Sequence, residues 1–156
     1  MENLSQCILA SEMIKRMARI SVVHDETDIP RSILRKAYVD IHGVSPSKGS
    51  IKHSSKGVFE GTRVLKKECT AFAAIYDMLR KVPGDSGHAH LLIRAYDMFT
   101  SLRPNPILDF TDAWVIARDL DGGDASMANC PTCSSVVLNW PGEITNCLIC
   151  RAEIIG

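Results

Sequence analysis

Cys130-Pro-Thr-Cys133 and Cys147-Leu-Ile-Cys150 are two Cys-x-x-Cys pairs separated by 13 residues. Two intervening residues let each pair turn as a knuckle that offers both thiolates to one cation. Two knuckles make the tetrahedral sulfur set that zinc accepts at about 2.3 Å. Four sulfurs fill every coordination position, so the one Zn2+ expected here holds structure together and has no vacancy for water or substrate. Binding a structural zinc can supply roughly 10–16 kcal/mol to a module with too little core to fold alone, and residues 125–156 fit that description. A redox dithiol would need a βαβ pattern, which this chain does not show, and disulfides suit an oxidising compartment. Cys7 and Cys69 stand alone within helical patterns and read as buried, apolar thiols.

Other chemistry is thinly represented. Asp119-Leu-Asp121-Gly-Gly-Asp124 opens like a calcium loop, but its glycines are misplaced and Cys130 stands where the bidentate Glu belongs, so it reads as a solvated turn. Gly43 to Ser50 has Lys48 before Gly49, the reverse of a phosphate-binding loop. His88 and His90 diverge around a helix axis. Nothing marks a nucleophile with its base, so enzymatic activity is not expected.

Basic residues carry a second signal. Arg31, Arg35 and Lys36 fall on a helical stretch entered from a short polar turn, the pattern of a helix-turn-helix in which one helix braces and the next enters a groove. Ser47, Lys48, Lys52 and Lys56 follow in a loop able to neutralise a phosphate backbone. These seven are the candidate DNA-binding residues.

The elements that must position them show in the apolar spacing. Leu9, Met13, Met17 and Ile20 recur on one face of a helix from Ile8 to Val23. Asp28 can cap a second helix with Pro30 in its first turn, an inward face of Ile33, Leu34, Ala37, Tyr38 and Ile41, and Gly43 as its stop. Residues 43–61 contain four Gly, five Ser and three Lys, a loop composition. Three more helices follow, marked by Phe72, Ile75, Tyr76 and Leu79; by Leu91, Leu92, Ala95, Met98, Phe99 and Leu102; and by Phe110, Trp114 and Ala117. The fold expected is mainly α. A multihelical domain over 1–124 (helix-turn-helix-like pair 8–43, basic loop 44–61, helices 68–120) is followed by a zinc-ribbon-like four-cysteine module over 125–156.

A chain of 156 residues, 46% hydrophobic and 23% charged, suits one compact domain with an appendage and leaves little room for disorder. No apolar run approaches the roughly 20 residues of a membrane span and no leader opens the chain, so a cytoplasmic protein is expected. Net charge is zero, yet residues 1–67 hold 12 basic against seven acidic residues. That surplus says where an anionic partner would dock.

Arg31, Leu34, Lys36, Tyr38 and Gly43, the following Ser45-Pro46-Ser47-Lys48-Gly49, Ala113-Trp114 and the distal cysteine quartet together resemble the FlhC family, a subunit of the bacterial flagellar master transcriptional activator. The likeness spans roughly residues 30–150. It implies a multihelical fold with a C-terminal four-cysteine zinc site, a hetero-oligomer with a small helical FlhD-like partner, sequence-specific binding to double-stranded promoter DNA, and recruitment of RNA polymerase. Relatives often carry a longer basic tail than the six residues after Cys150, and a tail contribution to DNA binding is not expected here. Members also control conjugation genes on mobile elements, so the likeness leaves flagellar and transfer genes both open. A zinc-ribbon subunit that binds only protein is the alternative.

Overall fold

The computed structural model describes residues 2–84 and 87–156. Its first three helices are α1 (Glu2–Lys15), α2 (Ile20–Thr27) and α3 (Arg31–His42). The single helix expected from Ile8 to Val23 is therefore broken. The Met17 N–H bonds to the Ile14 carbonyl at 2.7 Å and the Ala18 N–H to the Met13 carbonyl at 3.2 Å, while Met17 takes φ 61°. This is a Schellman stop, and it normally advertises itself with glycine. A methionine there hides the break, and the apolar face runs on unbroken because Met13, Ile14, Ala18, Val22 and Val23 are all buried.

The polar stretch after Val23 stays helical to Thr27. Asp28 does not start α3 but ends α2 in the left-handed conformation at φ 56°, and Pro30 takes the N-cap position of α3. The three-residue link Asp28–Pro30 folds α3 back against α2, with α1 packed on both, so a helix-turn-helix-like trio forms. Leu34 and Tyr38 face inward as expected, whereas Ile33 and Ile41 remain 56% and 40% exposed. Gly43, at φ 69°, closes α3.

Within the expected loop a short helix, α4 (Ser55–Phe59), forms. The Ser54 hydroxyl caps it by accepting the Gly57 N–H at 3.3 Å, and Val58 and Phe59 are buried. Three longer helices follow: α5 (Arg63–Arg80), α6 (His88–Leu102) and α7 (Phe110–Gly122). The centre of the fold is α5, which packs on α6 and α7 through Phe72 and Tyr76 and ring partners Tyr96 and Phe99. Glu68, 4% exposed, accepts the Ile107 and Leu108 N–H groups at 2.7 and 2.9 Å and Arg103 Nε at 2.8 Å, which fixes the α6–α7 connection. Met98 and Leu102, expected inward, lie largely in solvent. Cys69 is buried, and burial pushes its thiol up to about 12. Cys7 is exposed, contrary to expectation, because the buried stripe of α1 runs through Leu9, Ala10, Met13 and Ile14 instead.

The acidic stretch at the end of α7 is only in part a solvated turn: residues 121–124 are exposed, but Asp119 and Asp121 are tied into the fold. Asp119 is buried and accepts the Ser55 N–H at 2.6 Å, and Asp121 accepts the Tyr76 hydroxyl at 2.6 Å and pairs with His88 Nδ1 at 2.7 Å. The helix reaches Gly122 and stops at Gly123.

Two antiparallel hairpins complete the chain: β1 (Ser126–Asn129) with β2 (Val136–Asn139), and β3 (Ile144–Asn146) with β4 (Glu153–Ile155). The architecture is thus mainly α with a small four-cysteine, ribbon-like end, as the sequence pattern predicts. Leu138 and Trp140 carry β2 into the helical core, where the Trp140 ring meets Phe59 edge-on at 5.1 Å and its Nε1 donates to the Ser55 hydroxyl at 2.9 Å. No helix among the described residues is long and apolar enough to cross a membrane.

Candidate metal centre and nucleic-acid interface

Each hairpin turn holds one cysteine pair, and the two turns have the same backbone. The Cys130 N–H bonds to the Ser135 carbonyl and Ser134 N–H to the Cys130 carbonyl; Cys147 N–H bonds to Ala152 and Arg151 N–H to Cys147 in the same way. Ser134 and Arg151, each four residues after the first cysteine of its pair, are both left-handed at φ 61° and 67°. The four Sγ atoms lie within 4.8 Å of one another, with Cys130 to Cys150 at 3.5 Å and Cys133 to Cys147 at 3.6 Å. A tetrahedron with metal–sulfur bonds of about 2.3 Å has edges of about 3.8 Å, so the donor set fits zinc. The Ser135 hydroxyl and the Cys150 and Ile149 amides draw the Cys147 thiol down to about 5. For Cys150 the Ala152 amide favours the thiolate, but burial and the neighbouring sulfurs outweigh it and push the thiol up to about 12. Were all four ionised at these separations, they would need a cation among them.

The second site is a groove of about 520 Å³ between α2, α3 and the loop after α3. Arg31 and Arg35 are one turn apart on α3 and share a face, and Ser47 and Lys48 come from the loop. Arg19, at the head of α2, completes the lining, and no carboxylate is part of it. The Arg19 guanidinium donates to the Gly49 carbonyl at 2.7 Å and so holds the loop against α2, while the Arg19 backbone N–H donates to the Thr111 hydroxyl at 3.1 Å. Ile20 and Ser21 of the first turn of α2 also face the groove, and that turn contains no acidic residue. The positive end of the helix therefore adds to the cationic field.

Of the seven residues expected to meet DNA, four converge here: Arg31, Arg35, Ser47 and Lys48. Lys36 is exposed on α3 one step around from Arg35 and outside the groove lining. Lys52, farther along the loop, and Lys56, in α4, are paired, Lys52 with Asp112 at 2.7 Å and Lys56 with Glu143 at 2.8 Å. Arg19 is not among the residues the sequence pattern singles out. A continuous helix from Ile8 to Val23 would have carried it along α1, and only the break at Met17 turns it toward the loop.

A sequence model of the family described as flagellar transcriptional activator (FlhC) matches residues 1–153, which include both sites. The chain belongs to the FlhC family. Similar proteins include the flagellar transcriptional regulator FlhC of Gallionella capsiferriformans (strain ES-2), 28% identical over 150 residues that cover 93% of this chain and 81% of that protein. The FlhC regulator of Verminephrobacter eiseniae (strain EF01-2) is 31% identical over 80% of this chain and 68% of its own length. That of Yersinia enterocolitica is 26% identical over 91% and 75%. The FlhC match spans the helix trio, the basic loop and the cysteine hairpins together, so both sites belong to one family unit.

Proposed function

We propose that this FlhC-family chain is the DNA-binding subunit of a transcriptional activator, acting at promoters of flagellar or mobile-element transfer genes. The observation that carries the proposal is the groove in which Arg19, Arg31, Arg35 and Lys48 converge without a carboxylate. Such a surface neutralises phosphates, and arginines at the start of α3 are of a length to reach guanine edges. Lys36, Lys52 and Lys56 extend the basic surface, and exposed ion pairs such as Lys52–Asp112 exchange partners at little cost. In this reading Cys130, Cys133, Cys147 and Cys150 hold one structural Zn2+, with the helical part over 1–124 and the zinc module over 125–156. The chain works in the cytoplasm as a non-enzymatic regulator.

A neutral chain whose surplus of positive charge lies in one half binds DNA weakly alone, which supports co-assembly with a small helical FlhD-like subunit and contact with RNA polymerase. The exposed Ile33 and Ile41 beside the groove between α1 and α3 favour a protein partner as well. That apolar face is also the specific support for the second reading, a zinc-ribbon interaction subunit without DNA contact. Gel-shift titration of a promoter duplex, with and without the co-expressed partner, separates the two. A shifted band that weakens on Arg35→Ala supports the proposal, and no shift in either condition leaves only the second reading.

A further inference from the structure

The groove between α2 and α3 is not the molecule's only basic concavity. A second one, of about 440 Å³, lies between the α4–α5 corner and the β3–β4 hairpin. Lys56, Arg63, Lys66 and Arg151 line it, against the carboxylates of Glu60 and Glu143. Glu143 is already matched by Lys56 at 2.8 Å. Arg63 is oriented by donating to the Leu148 carbonyl at 2.9 Å, and Lys66 Nζ stands 5.6 Å above the Phe59 ring. Arg151 is exposed and projects from the left-handed turn of the second cysteine knuckle. A metal at the cysteines would lock that turn and with it the placement of this charge.

One stretch of chain joins the two grooves. Ser47 and Lys48 line the first and Lys56 lines the second. Between them the chain is fastened along α7: Lys52 to Asp112, the His53 carbonyl to Arg118 at 2.7 Å, and the Ser55 N–H to Asp119. Asp112 and Asp119 are two turns apart on one face of α7, a rise of about 10.5 Å. Lys52 meets the first turn of α7 and Ser55 a later one, so the chain, bending at His53 and Ser54, runs in the same direction as the helix. The segment therefore lies as a strap parallel to α7. Its eight residue steps from Lys48 to Lys56 set the two grooves no more than about 29 Å apart along the chain, which is within one turn of duplex DNA at about 34 Å.

We infer that the second groove is a further phosphate-binding site for the same duplex, with Arg63, Lys66 and Arg151 as its cations and the strap as the ruler between two contact points. The inference rests on the DNA-binding reading of the first groove. Its test uses the full, zinc-loaded chain with its partner and a random-sequence 30-base-pair duplex, with affinity measured across salt concentrations. Arg151→Gly removes the charge and suits the left-handed backbone; it is combined with Lys66→Gln. Removing one cation from a phosphate lowers the slope of log affinity against log salt by about 0.9, so the double variant should lose roughly 2 from the slope. Arg151→Lys, which keeps the charge, should retain the wild-type slope, and zinc content should be unchanged in both variants.

An unchanged slope in the double variant, with a slope reduced by Arg35→Ala, would overturn the second site and leave the first standing. The same result would turn the second groove over to an acidic protein segment. Wild-type protein that fails to bind any duplex would overturn both. A double variant that loses slope only together with its zinc, while Arg151→Lys loses slope as well, would also overturn the inference, since the effect would then be one of structure and not of charge.

Discussion

Removing one sulfur tests the metal centre residue by residue. Cys133→Ser leaves three thiolates and a hydroxyl, and although Leu138 and Trp140 anchor β2 in the helical core, the small cluster of Cys130, Val137, Cys147 and Ile154 is too slight to hold the cysteine turns and the β3–β4 hairpin without the ion. The variant should lose its zinc and become protease-sensitive at the cysteine turns and the β3–β4 hairpin. One zinc per chain with unchanged protease resistance would contradict this. Lys48 and Arg35 should differ in kind. Lys48→Ala should weaken binding to all duplexes nearly equally, and Arg35→Ala should in addition narrow the difference between promoter and random DNA. The cysteine set is fully legible in the sequence, because metal-ligand spacing is local and survives whatever fold surrounds it. Arg19 is not legible, since its role depends on a left-handed Met17 for which no local residue preference speaks.

Among the elements, the joint between α5 and the α6–α7 connection rests on one buried carboxylate. Burial opposes ionisation of Glu68, but the Leu108 amide, Arg103 and the Ile107 amide outweigh it and hold its pKa below the usual carboxylate range. A carboxyl group depressed on folding stabilises above its unfolded pKa, near about 4.3, and that contribution fades as pH falls through the depressed folded value. Glu68→Gln should therefore lower stability by about 1–3 kcal/mol at neutral pH. The gap between variant and wild type should close in strong acid, as measured by urea unfolding. A gap independent of pH would contradict the assignment. Helices α5, α6 and α7 are visible from their apolar period. The period also overstates the buried faces, since Ile33, Ile41, Met98 and Leu102 continue the pattern into solvent. Helix α4 is invisible: five residues with a central glycine have no period, and Phe59 is held in place by Trp140, 81 positions away in the chain.

Across the whole molecule, the cysteine hairpins and the helices are coupled through Trp140, which is buried against Phe59 and Ser55. Chelating the metal should release Trp140, shifting its fluorescence to the red, and a Trp140→Phe variant, which retains Trp114, should show little change. An unchanged spectrum after complete metal removal would mean that the helices hold Trp140 without the hairpins. Charge asymmetry along the chain foretells a basic face, but not that Lys48 lines the α2–α3 groove while Lys52 and Lys56 pair with Asp112 and Glu143, because those partners are distant in sequence.

The groove between α2 and α3 is tested most sharply by a salt titration of promoter binding with the co-assembled, zinc-loaded protein, comparing wild type with an Arg19→Ala, Arg35→Ala double variant. Wild-type affinity should fall steeply with salt, and the slope of the variant should be shallower by roughly 2. Identical slopes, or a wild-type affinity indifferent to salt, would mean that these arginines do not meet the phosphate backbone.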